Sequence, residues 1–388
     1  MKLLHFSDIH IGMENYSKLD PETGLSSRLL DFFATFDFIV DTAFKEDVDA
    51  VVFAGDAYKT RDPNPTQQRG FGERIRKLAK KIPVVLVVGN HDTPNADGKA
   101  NTLDIYSALE IDNVWVSRKV EYLEIPTKSG SLQIITLPWL HKNDYKTVGD
   151  KLNLLYNKIA SDSPAIFLSH CEVEGASYGS EKGLAISNDV TIPLPLLQDK
   201  RLNYVALGHI HKHQVLSKDP LVVYSGSPQR IDFGEEKEEK GIILVEIQKS
   251  KIKNQNFQSQ FTFISTNARK FLTITLDLKT NDQNPTQTII DAIQKNDVTD
   301  KIVRVVINIP AELNKEIEMD KIKKALAQSH FIAGILRNVE RVEREKIDMG
   351  KEVESLTPIQ ALQKYFQSRK YSFQKQKELE KYAAQLFA

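Results

Sequence analysis

Short apolar runs alternate with helical patterns through the first two-thirds of the chain. β-branched runs at 49–54 and 83–88 predict buried strands, and the apolar spacing at 27–45 predicts an amphipathic helix. The other predicted strands are 2–7, 130–137, 164–169, 204–207, 221–224 and 241–247, and the other predicted helices are 65–80, 99–109 and 150–161. Buried strands separated by helices are typical of a layered α/β fold.

The pattern changes after about residue 250. Residues 249–259 are rich in Lys, Asn, Gln and Ser, which favours a connecting segment. A smaller unit follows, with predicted strands at 271–278, 301–309 and 331–342 and predicted helices at 285–295 and 315–328. A polar linker at 348–355 precedes two helical apolar stripes, the first starting at Thr357-Pro358. We expect three parts: 1–265, 266–345 and 355–388.

Composition restricts the classes of protein that fit. The chain has 388 residues, with 52 basic and 52 acidic side chains, so any nucleic-acid surface must be a local basic patch. The single cysteine, Cys171, excludes an internal disulfide framework and a cysteine-rich zinc site. No apolar run approaches the ~18 residues that a membrane span needs. Because an acid stands as early as Asp8, we expect no signal peptide and a cytoplasmic location.

Polar side chains follow five of the predicted strands at the point where each ends. They are Asp8, His10, Asp56, Asn90, His91, Asp92, His170, His209 and His211. In open α/β sheets, this edge is where ligands bind. Carboxylates, imidazoles and one amide, without thiolates, favour a catalytic Mn, Fe or Zn site. Because the candidate ligands exceed the needs of one ion, two ions sharing a carboxylate are expected, as in metal-assisted phosphoryl transfer.

Glycine precedes three of these polar residues. Gly55, Gly89 and Gly208 stand directly before Asp56, Asn90 and His209. Because glycine has no Cβ, it allows tight turns and a close approach of one backbone to another. These three positions therefore favour tight turns and a close backbone approach.

These blocks stand in the order found in one enzyme family. Asp8-x-His10, Gly55-Asp56, Gly89-Asn90-His91-Asp92, His170 and Gly208-His209-x-His211 resemble the motifs of the calcineurin-like metallophosphoesterases. The blocks at 224–228 and 230–235 are similar to those of SbcD-type nuclease subunits of bacterial double-strand-break repair. The resemblance implies a layered β-sandwich core flanked by helices, a small α+β capping domain and a C-terminal helical hairpin.

The same resemblance implies a role for each site residue. One divalent ion, with manganese the expected metal, would be held by Asp8, His10, Asp56 and His211. The other would be held by Asp56, Asn90, His170 and His209, so that Asp56 bridges the two. His91 would contact the scissile phosphate and protonate the leaving sugar oxygen. Asp92 would orient an active-site histidine from outside the ligand set.

One position departs from many archaeal and eukaryotic relatives. Those relatives carry a histidine three residues after the bridging aspartate, where this chain has Lys59. A lysine contacts phosphate well but is a poor proton relay at neutral pH. Lys59 and Arg61 are therefore predicted to contact the DNA backbone. The basic residues that follow, from Arg69 to Lys81, fit either an exposed helix face or a DNA contact.

The function that the resemblance implies is a metal-dependent DNA nuclease subunit. It would act as a 3′-to-5′ exonuclease on duplex ends and as an endonuclease on single strands and hairpins. The tail, at Leu362 and Phe366, would dock onto an SbcC-type coiled-coil ATPase. Two alternatives stay open. One is a phosphoesterase acting on small phosphodiesters or monoesters, and the other is a scaffold that binds DNA ends without cutting them.

Three further expectations concern packing. The family resemblance implies a homodimer through helices 65–80 and 99–109. Their apolar residues would either form a patch across a two-fold axis or face their own sheet: Phe71, Ile75, Leu78, Leu103 and Tyr106. The charged run from Glu235 to Lys240 predicts a solvated turn before the next strand. His5, inside the first strand, is expected to be a packed structural histidine.

Overall fold

The computed structural model describes residues 1–94, 96, 99–142, 144–179, 190–250, 257–340, 357–368 and 372–386. The predicted linker at 348–355 lies outside the described residues. The strands are β1 Lys2–Phe6, β2 Ala50–Phe53, β3 Val84–Val87, β4 Val114–Ser117, β5 Glu121–Thr127, β6 Gly130–Leu137, β7 Ala165–His170, β8 Glu172–Val173, β9 Thr191–Ile192, β10 Tyr204–Gly208, β11 Gln214–Lys218, β12 Leu221–Tyr224, β13 Gly241–Lys249, β14 Phe257–Ser265, β15 Phe271–Asp277, β16 Ile302–Ile309 and β17 Phe331–Val339. The helices are α1 Ser27–Lys45, α2 Pro65–Ala79, α3 Asp104–Ala108, α4 Val148–Tyr156, α5 Pro285–Gln294, α6 Met319–Ala325, α7 Pro358–Ser368 and α8 Phe373–Leu386.

Two six-stranded sheets pack face to face. The first has the order β14-β13-β1-β2-β3-β4, and the second has the order β11-β12-β10-β7-β6-β5. Leu3, Val52 and Val85 of the first sheet share one core cluster with Ile134 and Ile166 of the second. The central strands are parallel and buried on both faces, which explains their unbroken apolar sequences.

Helices cover the outer face of each sheet. Helix α1 is capped by the Ser26 side chain, and α2 begins with a capping box between Asn64 and Gln67. Both helices bury their apolar stripes on the outer face of the first sheet. Helix α4 packs on the outer face of the second sheet through Leu152 and Tyr156. The predicted layered β-sandwich core flanked by helices is therefore confirmed.

The apolar patch predicted for a dimer is wrong. All five residues chosen for it are buried in the outer core of the first sheet: Phe71, Ile75, Leu78, Leu103 and Tyr106. Each large side chain contributes about 1.5–3 kcal/mol when it is buried on its own sheet, and that burial leaves these five unable to contact a partner. The exposed apolar residues near α3 are Ile105 and Leu109.

The predicted connecting segment at 249–259 is also wrong at both ends. Lys249 is the last residue of β13, and it pairs with Phe257, the first residue of β14. Strand β14 lies at an edge of the first sheet and alternates half-buried with exposed residues. Because one face of β14 is exposed and polar, the sequence of this strand has the composition of a linker.

A smaller set of elements follows the two sheets. Strands β15, β16 and β17 form a three-stranded sheet in that order, accompanied by α5 and α6. The chain divides into two compact units, the first of which holds Met1–Leu276, Thr286–Val306 and Glu318–Leu336. The second holds Asp277–Pro285, Ile307–Ile317 and the described part of Arg337–Ala388, including α7 and α8. The three-part division at 265 and 355 stays a prediction.

Candidate metal centre

Five loops meet where β1, β2, β3, β7 and β10 end. The loops after β1 and β2 are tied together by backbone hydrogen bonds, from Asp8 N–H to the Gly55 carbonyl (2.9 Å) and from His10 N–H to the Asp56 carbonyl (3.1 Å). Four of the site residues have positive φ: Asp8 (53°), His10 (45°), Asp56 (62°) and His209 (97°). Such backbone is costly outside glycine, and it clusters at functional sites.

Glycine is required where the loops touch. A Cβ on Gly89 would lie 2.1 Å from Asp56 Oδ1, and a Cβ on Gly208 would lie 2.0 Å from the Ala54 carbonyl oxygen. Any larger residue would push the loops apart. The close approach expected at these glycines is therefore confirmed.

Asp8, His10 and His211 form what we call the first ligand group. Each residue offers one atom that could ligate a metal, and these three atoms lie within 4.8 Å of one another. The Nε2 atoms of His10 and His211 are 3.0 Å apart. Glu235 Oε1 accepts the Nδ1 hydrogen of His211 (2.8 Å), so His211 Nε2 carries a lone pair that points at His10.

Asn90, His170 and His209 form the second ligand group. His170 donates its Nδ1 hydrogen to the Ala54 carbonyl (2.7 Å), so its Nε2 carries a lone pair. That lone pair faces Asn90 Oδ1, itself an acceptor, at 2.9 Å. His209 Nδ1 lies 3.2 Å from the same oxygen. The two acceptors that face each other, His170 Nε2 and Asn90 Oδ1, fit a cation between them.

Asp56 lies between the two groups. Its Oδ2 is 3.6 Å from His10 Nε2, and its Oδ1 is 3.5 Å from His170 Nε2. Burial alone would raise the pKa of Asp56, but the neighbouring histidines outweigh burial and lower it. Burial also lowers the pKa of His10 and of His170, which favours neutral imidazoles. An ionised carboxylate between neutral imidazoles is the protonation state that metal ligation needs.

His91 adjoins Asp56 and the first ligand group. Its N–H donates to Asp56 Oδ1 (2.9 Å), and its ring Nδ1 donates to the Lys59 carbonyl (2.7 Å). The ring stands 4.8 Å from that of His10, centroid to centroid. His10, Asp56 and His91 are also close enough together to share a metal. The geometry thus admits His91 either as the predicted acid or as a further ligand.

Asp92 does not orient a histidine as predicted. Its carboxylate accepts three backbone N–H groups, those of Asp56 (2.9 Å), Ala57 (3.0 Å) and Gly89 (3.0 Å). Burial and the Asp56 charge raise the pKa of Asp92 to about 7, against the effect of these three donors. Asp92 therefore joins the backbones of the loops after β2 and β3, which fixes the spacing of Asp56 and Asn90.

The two residues predicted to contact DNA lie beside these loops. Lys59 is half-buried, and its carbonyl accepts from His91. Arg61 is exposed, and its guanidinium donates to the carbonyls of Thr93 (2.5 Å) and Asn90 (3.5 Å). Arg61 thus stabilises the loop that carries Asn90. The DNA contacts of Lys59 and Arg61 stay predictions.

Sequence reasoning missed two residues behind the first ligand group. Glu235 and Lys240, predicted to lie in a solvated turn, are 0% and 2% exposed. Lys240 Nζ lies 2.8 Å from Glu235 Oε2. Burial would raise the pKa of Glu235, but Lys240 and His211 hold it to about 2. Removing one partner of such a buried pair costs about 3–5 kcal/mol. Their sequence context, four exposed or half-buried charges, gave no signal.

Helices α7 and α8 form what we call the tail hairpin. The two residues predicted to dock onto a partner there are less exposed than expected. Phe366 is only 3% exposed, and Leu362 is half-buried. Four other apolar residues of the hairpin are exposed: Ile359, Tyr365, Phe373 and Tyr382. Phe366 is too buried for the predicted docking role, whereas docking through Leu362 stays a prediction.

The fold and the site define a metal-dependent phosphoesterase. The chain belongs to the calcineurin-like phosphoesterase family, whose profile matches residues 1–213. The chain is also similar to SbcD, a component of the nuclease SbcCD of Bacillus subtilis, with 26% identity over 63% of this chain and 66% of that protein. It is 27% identical to the DNA double-strand break repair protein Mre11 of Saccharolobus solfataricus over 64% of this chain and 61% of that one. No described helix is long and apolar enough to span a bilayer.

Proposed function

We propose that this chain is the nuclease subunit of a DNA double-strand-break processing complex and hydrolyses DNA phosphodiesters with two divalent ions. The observation that carries the proposal is the convergence of candidate metal-ligating atoms on both sides of Asp56. His170 Nε2 and Asn90 Oδ1 face each other at 2.9 Å on one side, and the Nε2 atoms of His10 and His211 face each other at 3.0 Å on the other. The similarity to SbcD and Mre11 proteins supports DNA as the substrate.

Manganese is the proposed metal. The first ligand group and Asp56 would hold one ion, and the second ligand group and Asp56 would hold the other. When bound, such a pair supplies the positive charge that activates water and neutralises the phosphate. The donor set, with imidazoles, carboxylates and an amide oxygen, suits manganese without excluding iron or zinc.

The other roles in the reaction fall to side chains of this chain. Asp56 neutralises charge at the centre, and Asp92 sets the spacing of the loops that carry Asp56 and Asn90. His91 would deliver a proton to the leaving sugar oxygen as the bond between phosphorus and that oxygen breaks and water adds to phosphorus. Lys59 and Arg61 would contact flanking DNA phosphates, because both lie at the rim of the same loops.

The finer activities and the assembly belong to the same proposal. The chain would remove nucleotides 3′-to-5′ from duplex ends and cut single strands and hairpins. It would act in the cytoplasm as part of a complex with an SbcC-type ATPase. The exposed residues Tyr365, Phe373 and Tyr382 of the tail hairpin offer apolar side chains to such a coiled coil. A homodimer through the α3 region would have to use Ile105 and Leu109.

The test is cleavage of 5′-labelled and 3′-labelled blunt duplex and hairpin DNA by the purified full chain with manganese. Asp56→Ala serves as the inactive control, and bis-p-nitrophenyl phosphate serves as a small substrate. The proposal expects both DNA substrates to be cut by the parent and neither to be cut by the control. Hydrolysis of the small diester without DNA cleavage would instead identify a small-molecule phosphoesterase. DNA binding without any hydrolysis would identify a scaffold.

A further inference from the structure

A buried pair of opposite charges, Glu235 and Lys240, lies directly behind His211 within the first compact unit. Both side chains are inaccessible, while Lys237 and Glu239 of the same charged run are exposed. Burying two charges is costly unless both are paired and hydrogen-bonded. The burial of these two charges therefore needs a reason, whereas charges in a solvated turn would need none.

Polar contacts on both oxygens fix the carboxylate of Glu235. Oε1 accepts from His211 Nδ1 (2.8 Å), and Oε2 accepts from the Ile231 N–H (2.9 Å) and forms an ion pair with Lys240 Nζ (2.8 Å). Ser227 Oγ lies 3.5 Å from Oε2. A carboxylate held by this many donors stays ionised and keeps one orientation.

Lys240 holds the same histidine from its other side. Its ammonium group donates to the backbone carbonyl of His211 (3.2 Å), to Ser227 Oγ (2.9 Å) and to Glu238 Oε2 (2.8 Å). Glu235 therefore fixes the ring of His211, and Lys240 fixes its backbone. Together they keep the Nδ1 hydrogen on the side away from the ligand groups and leave Nε2 as a lone pair toward His10.

We propose that Glu235 and Lys240 are positioning residues that orient His211 for one metal position only. A carboxylate that accepts the second N–H of a ligating histidine fixes its tautomer and raises its basicity. In the second ligand group, His170 instead donates its Nδ1 hydrogen to the uncharged carbonyl of Ala54. The inference rests on the proposed two-metal site and predicts that the two positions depend unequally on this pair.

The experiment titrates Mn²⁺ into the metal-free full chain and follows free Mn²⁺ by electron paramagnetic resonance. The main variant is the double substitution Glu235→Gln with Lys240→Met, which removes both charges together and leaves neither buried alone. Glu239→Gln, on an exposed residue of the same run, is the matched control. Far-UV circular dichroism and thermal melting check that each variant is folded before titration.

The parent and Glu239→Gln should bind two Mn²⁺ ions with the same affinities. In the double variant, one ion should bind about 10–100-fold more weakly while the other is unchanged. At saturating Mn²⁺ the double variant should regain most of its hydrolysis rate for bis-p-nitrophenyl phosphate, so the loss should fall on metal affinity. Glu235→Asp, whose shorter side chain keeps the charge, should give an intermediate loss.

Two outcomes would overturn the inference. Parent-like binding of both ions by the folded double variant would show that the pair does not position His211. Equal weakening of both ions would show a general disturbance of the fold. The result is separable from the proposed function. If the parent binds two Mn²⁺ ions, the double variant weakens only one of them and the parent leaves DNA intact, only the nuclease proposal is removed. A parent that cuts DNA beside a double variant with normal binding would remove only this inference.

Discussion

His170 Nε2 and Asn90 Oδ1 face each other at 2.9 Å, and both are acceptors. The second ring nitrogen of His170 already donates to the Ala54 carbonyl, so no hydrogen of this histidine lies between the two atoms. Two lone pairs at this distance repel each other unless a positive charge joins them. The pair therefore marks the point on which the second ligand group converges.

Divalent metal should stabilise the folded chain strongly. A ligand that binds only the folded state adds about 2.7 kcal/mol at one hundred times its dissociation constant, for each site. Thermal melting of the metal-free chain with and without Mn²⁺ measures this effect. Asn90→Ala removes one ligand and should reduce the gain in melting temperature. A melting temperature that Mn²⁺ leaves unchanged would contradict the convergence argument.

Asp56→Asn should weaken both metal positions at once. Asp56 oxygens stand 3.6 Å from His10 Nε2 and 3.5 Å from His170 Nε2, so a single carboxylate serves both sides. An amide carries no charge to neutralise two cations. Metal analysis after dialysis against limiting Mn²⁺ should find less than one ion per chain. Retention of two ions at full occupancy would exclude the bridging role.

His91→Ala should keep the metal and lose cleavage. Loss of a general acid typically lowers the rate by ~10²–10⁴-fold. Single-turnover cleavage of hairpin DNA and metal content are measured on the same preparation. Because His91 also lies within reach of His10 and Asp56, a lower metal content would make it a ligand instead.

His5 should make the fold sensitive to acid. Burial lowers the pKa of His5 from its ordinary value of 6.5 to about 3, and its Nδ1 lies 2.9 Å from the Tyr204 hydroxyl. Between these two pH values the unfolded chain takes up a proton that the folded chain does not. The contribution to stability is therefore complete above pH 6.5 and falls as the pH falls toward 3.

Urea unfolding of the parent and of His5→Gln across this range isolates the effect. Glutamine does not titrate, so the parent should lose up to about 1.4 kcal/mol per pH unit relative to the variant below pH 6.5. Above that pH, the difference between the two proteins should be constant. A difference that stays constant at all pH values would mean that the pKa of His5 is the same in the folded and unfolded chain.

Partner docking should depend on the exposed side chains of the tail hairpin. Tyr365→Glu and Phe373→Glu change residues that are 38% and 73% exposed, so they should weaken co-purification with an SbcC-type ATPase and alter stability by less than about 0.5 kcal/mol. Gln374→Glu, beside Phe373 and exposed, is the charge-matched control. Phe366→Glu should instead destabilise the hairpin, because Phe366 is buried.

Removal of the hairpin gives the converse test. Truncation before Thr357 should leave basal DNA cleavage intact, since every candidate metal ligand precedes residue 212. Continued association of the truncated chain with the ATPase would place the docking surface elsewhere. General loss of thermal stability would mean that the hairpin belongs to the core of the chain.

The central strands of the two six-stranded sheets could be predicted from sequence, whereas the edge strands of these two sheets could not. Strands β1, β2 and β3 are buried on both faces, so their apolar runs are unbroken. The strands that escaped prediction include all four edges of the two six-stranded sheets: β4, β5, β11 and β14. An edge strand exposes polar residues on one side, so its pattern merges with that of the loops.

The candidate ligands could be predicted because each one follows a strand within a short motif. Their surroundings could not be predicted. Nothing in the charged run distinguishes buried Glu235 from exposed Glu239, because burial is set by residues distant in sequence such as His211. Asp92 was expected beside a histidine, but its partners are backbone amides, which no side-chain motif encodes. Contact across loops, as at Gly89 and Asp56, is a tertiary property.

The anomalous scattering of manganese from crystals of the chain grown with Mn²⁺ tests the two-metal site most directly. We expect two peaks with Asp56 between them. One peak should lie against Asp8, His10 and His211, and the other against Asn90, His170 and His209. A single peak on one side of Asp56, or a peak ligated by His91 in place of one of these groups, would contradict this expectation.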